Sequence, residues 1–308
     1  MQKKPAWQFL KDVVYQWIED SPFQLAAAVS YYALFSMAPL LVISISVAGF
    51  FFGREAAQNQ VVDTIRGTVG QESAQAIQAM IQDASEKPKT GIVSTIIGGL
   101  ALLFGAGGVV GQLQTALNTI WGVAPKPGLG VWGFVRQRFV SFAMVVGIGF
   151  LLLVSLVVSA LLAGVTELLN SFFNGAALIA HALDILVSFA FITVLFAVMF
   201  KFLPDARIRW RDVWIGAALT SLLFTIGKFL IGLYLGTSGV TSAYGAAGSL
   251  ITVLLWVYYS SLIFFFGAEF TQVYATQFGS GVVPAENAQS MAAAKAARES
   301  PPPEKRSA

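Results

Sequence analysis

"LTSLLFTIGKFLIGLYLG", residues 219–236, is the stretch on which the fold turns: apolar and small residues throughout, broken by the single charge of Lys228. A run of this kind reaches the roughly 20 residues a helix needs to cross about 30 Å of hydrocarbon. The rest of the chain has the same character. Of its 308 residues 56% are hydrophobic and only 11% charged, against about 45–50% and about 25% in soluble domains, and the mean hydropathy is +0.71. The alternation needed for an outer-membrane barrel is missing, so the spans are expected to be helices.

Six spans follow from the apolar runs, over about 24–52, 91–111, 139–164, 178–202, 213–235 and 247–271. The expected fold is therefore all-α, a polytopic membrane protein with amphipathic interfacial helices. Ser21 before Pro22 reads as an N-cap with proline at the first helical position, and Thr90 and Asp212 suit the same role for the second and fifth spans. Pro39 falls inside the first span, where it removes a backbone donor and is expected to kink the helix.

Charge placement sets the orientation. Fourteen Lys and Arg residues fall before span one, between spans two and three, between four and five, or after six, while the opposite side has only Arg54, Arg66, Lys87 and Lys89. By the positive-inside rule both termini are cytoplasmic. The first hydrophobic run is long and lacks a small-residue cleavage site, as expected for a signal anchor that stays in place.

Three segments outside the spans are amphipathic. Residues 1–20 present Trp7, Leu10, Val14, Trp17 and Ile18 beside Lys3, Lys4 and Lys11, the pattern of a helix floating on the inner leaflet. Residues 53–90 read as an extracytoplasmic cap of two short helices, broken near Gly67 to Gly70. Residues 111–123 place Leu113, Ala116, Leu117 and Ile120 opposite Gln112, Gln114, Thr115 and Asn118, and are expected to run along the cytoplasmic surface. The membrane domain thus covers 21–278. The polar, proline-rich composition of 279–308 suggests a disordered cytoplasmic tail.

Catalytic constellations are lacking. Cysteine is absent and His181 is the single histidine, which removes disulfides, thiolate chemistry and Cys or His metal clusters. No cofactor or metal site is implied, and a formal charge of +3 does not point to nucleic acid. Membrane lipids are the expected partners. The pairs Gly107/Gly111 and Gly232/Gly236 have the GxxxG spacing through which a second copy of the chain can approach.

Lys228 is the leading candidate site residue. It lies seven residues from the outer end of span five, about 10 Å at 1.5 Å per residue, and an unpaired ammonium at the bilayer centre costs at least about 2.5–3.5 kcal/mol. Either it snorkels outward or pairs with a carboxylate such as Glu167 or Asp184, or it attracts an anionic group in a hydrated cavity. Glu269 lies near the cytoplasmic end of span six, either interfacial or poised to bind a proton or cation. Tyr31, Tyr32 and Ser36 add polar groups to span one, for helix packing or for a substrate path.

Taken together and in order, "AAAVSYYALFSMAPLL", "ALNTIWG", "LPDARIRWRDVWIGAALTSLLFTIGKFLIGLYL" and "AYGAAGSLITVLLWVYYSSLIFFFGAE" resemble the YihY/virulence factor BrkB family of bacterial inner-membrane proteins, once labelled ribonuclease BN. The resemblance covers roughly residues 10–278 and implies six spans with both ends cytoplasmic. It also implies motif roles for Pro39, Asn118, Trp121, Tyr234, Tyr244, Gly245 and Trp256, and family links to transport and envelope integrity, hence envelope protein partners. In the family the segment matching "FTIGK" carries a glutamate where this chain has Thr225, so Lys228 lacks that intrahelical partner. The ribonuclease label finds no support in these residues, since neither metal ligands nor a basic groove with acid/base groups is present. The expected function is transport of a lipid or other amphipathic anionic molecule; a non-transporting envelope scaffold is the rival reading.

Overall fold

The computed structural model describes residues 5–69, 71–86, 108–127, 147, 176–237 and 247–299. Helices α1 (Ala6–Glu19), α2 (Pro22–Phe52), α3 (Arg54–Val69) and α4 (Gln71–Glu86) come first. Next are α5 (108–120) and β1 (Val123–Pro125), then α6 (Ala176–Phe202), β2 (Ala206–Arg207), α7 (Trp210–Thr237) and α8 (Gly248–Gln277). Strands β3 (Val283–Pro284) and β4 (Ala288–Ser290) and helix α9 (Met291–Glu299) end the described chain. Three of the described helices are long and apolar enough to cross a membrane, through Ile185–Phe202, Trp210–Leu235 and Gly248–Gln277. The expected third span, most of the second, and Tyr244 and Gly245 lie outside the described residues. Helix α2 runs through Pro39 without interruption of its helical assignment.

Helices α7 and α8 interlock through two glycine–threonine pairs. Thr220 Oγ1 donates to the Gly216 carbonyl at 2.7 Å and Thr271 Oγ1 to the Gly267 carbonyl at 2.6 Å, so each hydroxyl is satisfied within its own helix. Each threonine fills the space left by the other helix's glycine: a methyl on Gly216 would lie 1.7 Å from Thr271 Oγ1, and one on Gly267 would lie 1.9 Å from Thr220 Oγ1. Lipid tails are as apolar as leucine, so close backbone approach of this kind supplies much of the association between membrane helices. Helix α6 packs beside them through aromatic rings, with Phe196 and Phe224 centroids 5.5 Å apart and Phe200 and Phe264 5.1 Å apart.

At the far end of the bundle Ile45 of α2, Ala57 of α3, Ile77 and Ile81 of α4 and Val253 of α8 form a second apolar cluster. Gly53 allows the reversal into α3 because its φ of +87° suits a residue without Cβ.

Helix α1 docks rather than floats. Phe9 and Val13 are buried against Val273, with Phe266, Phe270 and Tyr274 around them, and Phe9 meets Phe270 edge-on at 5.2 Å. Gln277 Nε2 donates to Asp12 Oδ2 at 2.8 Å across the same joint. The edge with Trp7, Leu10, Val14 and Ile18 stays exposed. The helix therefore has two apolar edges; Phe9 and Val13, absent from the expected face, attach it to α8, and of the expected face Trp17 joins them by meeting Phe266 at 5.8 Å. Phe9→Ala is expected to cost about 3 kcal/mol and to free α1, measured as faster proteolytic cutting near residue 20 while the rest of the chain stays protected.

The turn between α1 and α2 differs from the expected cap. Ser21 occupies the N-cap position and Pro22 the first turn, but Ser21 makes no side-chain cap bond and sits in the left-handed region at φ 55°, ψ 52°. A residue with Cβ pays roughly 1–2 kcal/mol for that conformation, which persists because both flanking helices are anchored. Asp212 also differs: α7 begins two residues earlier, placing Asp212 inside its first turn.

Two further corrections concern the end of the bundle where the loops gather. Helix α5 does not lie along a surface: Ala116, Leu117, Ile120 and Trp121 enter the main core, and Gln114 and Asn118 on its other side are buried as well. The segment after 278 is not wholly disordered. Strand β4 pairs antiparallel with β1 through Val123↔Ser290, Ala124↔Gln289 and Pro125↔Ala288, and β3 pairs with β2. These strands are too short to hold alone. They persist because side chains from three distant segments fasten them.

Candidate functional site

Lys228 lies past the middle of α7 and is exposed. Among the described residues no carboxylate lies within ion-pair distance of it. Thr225 offers no substitute, since its hydroxyl donates to the Ser221 carbonyl at 2.8 Å. Three and four residues apart are neighbours on a helix, so Ser221, Phe224 and Lys228 follow one another along one face. Ser221 is buried with its hydroxyl oxygen unpartnered.

A groove of about 390 Å³ runs along another side of α7, lined by Leu223, Ile226, Gly227 and Leu230 with Tyr259, Ile263 and Phe266 of α8 and Trp17 of α1. At about 100° per residue Lys228 points well away from it. Gly227 makes the groove's floor: a methyl there would lie 2.3 Å from Ile263 Cδ1.

Tyr31 and Tyr32 are 60% and 44% exposed, whereas Ser36 is buried. Gly108 of α5 sits against this patch, where a methyl would lie 3.1 Å from Ser36 Oγ and 3.3 Å from Tyr32 Cδ1. Lys228 and Glu269 are not brought together. Tyr234 is exposed, Trp121 is buried, and the Trp256 ring meets Phe224 edge-on at 6.4 Å. The expected GxxxG positions Gly111 and Gly232 have nothing within 4 Å of an added methyl; among the described residues α7 and α8 approach most closely at Gly216, Gly227 and Gly267.

Glu269 is buried, at 1% exposure, rather than open to the interface. Its carboxyl group lies within hydrogen-bonding reach of that of Asp20, with Glu19 close enough to act on both. Burial pushes the Asp20 carboxyl up to about 6, the bond to Glu269 acts against this, and Glu19 adds to it. The sign follows: a carboxyl whose value is raised on folding stabilises the fold fully below its ordinary value of 3.8 and loses that contribution as pH rises through about 6.

Asp205, in the α6–α7 loop, is a site residue that sequence reading missed. Its Oδ2 accepts from Asn118 Nδ2 at 2.9 Å and from Gln114 Nε2 at 3.4 Å, and its Oδ1 accepts from Asn287 Nδ2 at 3.1 Å. Its own N–H donates to Asn118 Oδ1 at 2.8 Å and its carbonyl accepts from Ala285 N–H at 2.9 Å. Nearby, Lys126 Nζ donates to the Glu286 carbonyl at 2.8 Å, Arg207 pairs with Glu286, and Asp212 Oδ2 accepts from Ser280 at 3.4 Å. This is a structural knot, and it explains why Gln114 and Asn118 are buried. The available signal was a lone acidic residue in "LPDARIRW".

Among the described residues no group of three or more acidic or histidine side chains is placed to hold a metal ion. A family model described as "Virulence factor BrkB" matches residues 13–292. The chain is 25% identical over 264 residues to a UPF0761 membrane protein of Psychrobacter sp., covering 85% of this chain and 47% of the relative. It is 28% identical to one from Alkalilimnicola ehrlichii (83% and 56% covered) and 26% identical to one from Pseudomonas aeruginosa (85% and 61% covered). The chain thus spans about half the length of the curated relatives it matches. No solved structure matches it. With apolar helices of spanning length and a match from residue 13 to residue 292, the chain is an integral membrane protein belonging to the virulence factor BrkB family.

Proposed function

We propose that the chain is a six-span protein of the bacterial inner membrane, both ends cytoplasmic, that moves a lipid or another amphipathic anionic molecule across or along the bilayer. The observation that carries this is Lys228, a cation on an apolar helix, exposed and without a described acidic partner. An intramembrane charge is costly and is retained where it meets a counter-charge or a substrate. The groove of α1, α7 and α8 is apolar and suits an acyl chain. The loops carrying Lys126, Arg207, Arg209 and Arg211 share one end of the bundle with α1, as the positive-inside rule requires of a cytoplasmic face. Helices α3 and α4 then form the extracytoplasmic cap.

In reconstituted vesicles, movement of a labelled anionic phospholipid is expected to fall about tenfold in Lys228→Ala, equivalent to about 1.4 kcal/mol, and to persist in Lys228→Arg. Unchanged movement with well-folded Lys228→Ala protein contradicts the reading. A second reading, an envelope scaffold, draws on the close α7–α8 interlock. In that case the lysine anchors the helix at the interface, and the open positions at Gly111 and Gly232 receive another copy of the chain or an envelope protein.

A further inference from the structure

We propose that Asp20 and Glu269 form a proton-binding site at the joint between α1 and α8, holding one proton between two carboxyl groups and loosening α1 when that proton leaves. The reading concerns a different part of the molecule from Lys228 and does not depend on transport.

Three observations place the site. The first is proximity: the Asp20 carboxyl at the end of α1 and the Glu269 carboxyl of α8 come within hydrogen-bonding reach of each other, and two carboxyl groups can bond there only with a proton between them. The second is the surroundings. Glu269 is 1% exposed and its Oε2 has no hydrogen-bond partner. Trp17 Nε1 and Gln272 Oε1, one turn away from Asp20 and Glu269 respectively, are also buried and unpartnered. The Trp17 ring meets Phe266 of α8 edge-on at 5.8 Å, so its unpartnered nitrogen lies where α1 meets α8. The third is the backbone: left-handed Ser21, directly after Asp20, holds the turn that brings the α1 terminus against α8.

Among the described residues the charge acting on the pair is of one sign. Glu19 faces it from α1. The other charged groups nearby have their own contacts: Asp12 accepts from Gln277, Lys11 lies over the Trp7 ring at 5.2 Å, and Asp212 of α7 accepts from Ser280. Among the described residues no Lys or Arg forms an ion pair with Asp20 or Glu269. The second negative charge is therefore uncompensated, and the proton is retained until solvent base removes it. Half-exposed Asp20 is the point of exit: the proton passes to water, both oxygens of each group become acceptors, and the bond joining α1 to α8 is lost. Which carboxyl carries the proton is a property of the pair.

The test uses the whole chain in lipid nanodiscs and two readouts. Infrared difference spectra are recorded on stepping from about pH 6 to about pH 9, where a buried carboxyl can still hold its proton at the start. The wild type is expected to lose a protonated-carboxyl band that is absent from Glu269→Gln and shifted in Asp20→Asn. Because the chain has no cysteine, spin labels at Tyr15→Cys and Thr276→Cys, both exposed, report the α1–α8 separation. It should broaden at the higher pH in the wild type and stay unchanged in Glu269→Gln, whose amide still donates to Asp20. A wild type without a pH-dependent band, or a band surviving both substitutions, overturns the proposal. A Glu269-dependent band with no change in label separation overturns the link to α1. Should Glu269→Gln fail to fold, Asp20→Asn at the half-exposed member decides: a shifted band is expected, and a band at the wild-type position with the wild-type pH dependence of the label separation overturns the proposal.

Discussion

Gly216→Ala is expected to destabilise the chain by about 3 kcal/mol, the upper part of the range for overpacked interiors. The added methyl would lie 1.7 Å from Thr271 Oγ1, 2.6 Å from its Cβ and 2.9 Å from its Cγ2. Thr271 cannot swing away cheaply, because its hydroxyl is tied to the Gly267 carbonyl and the residue is fully buried. Either α7 and α8 move apart, giving up contacts down their length, or the threonine loses its bond. All the clashing atoms belong to one side chain, so Thr271→Gly in the same molecule should recover most of the loss, and a double-mutant cycle should show strong coupling. Gly232→Ala is the control: nothing lies within 4 Å of its added methyl, and the change should stay within about 0.5 kcal/mol. Thermal unfolding in detergent, followed by loss of the monodisperse elution peak, measures all five chains: the wild type, the two single variants of the cycle, the double variant and the control.

Asp205→Ala should be the most damaging substitution outside the spans. Its carboxylate accepts from Asn118 and Gln114 of α5 and from Asn287 near the end of the described chain, two segments far apart in sequence. Hydrogen bonds to a charged group contribute about 1.5–3 kcal/mol each, and the 3.4 Å contact to Gln114 is the weakest, so a total near 4 kcal/mol is expected. The loss falls on the pairing of β2 with β3, because the Asp205 carbonyl also holds Ala285. Limited proteolysis should cut soon after residue 278 in Asp205→Ala while α7 and α8 survive. Asp205→Asn, which keeps a carbonyl acceptor, should fall between the two.

The spans nearest the opening motif were readable because hydropathy alone defines them. The spans expected over 178–202, 213–235 and 247–271 fall on helices of 176–202, 210–237 and 248–277. The last helix outruns its apolar stretch because Val273 and Tyr274 continue as the seat of α1, and an amphipathic turn after a span looks like an ending. What stayed hidden was long-range pairing. Gln114 and Asn118 have the spacing of a wet helix face, and only Asp205, remote in sequence, makes them an interior one. The segment after 278 has the composition of a tail, yet its strands of two and three residues depend on partners that no local pattern announces. Glu269 was judged by its depth in a straight helix; its neighbour proved to be Asp20, which a docked α1 and a left-handed serine deliver.

The central proposal is topological: it puts α1 and the loop knot on the cytoplasmic face and α3 and α4 across the membrane from them. In a chain without native cysteine, single cysteines at Tyr15, Glu286 and Gln75, all exposed, can be labelled with a membrane-impermeant maleimide. In intact cells with a permeabilised outer membrane, the account predicts labelling at Gln75→Cys alone, with Tyr15→Cys and Glu286→Cys reacting only once the inner membrane is opened. Labelling of Glu286→Cys in intact cells would contradict it.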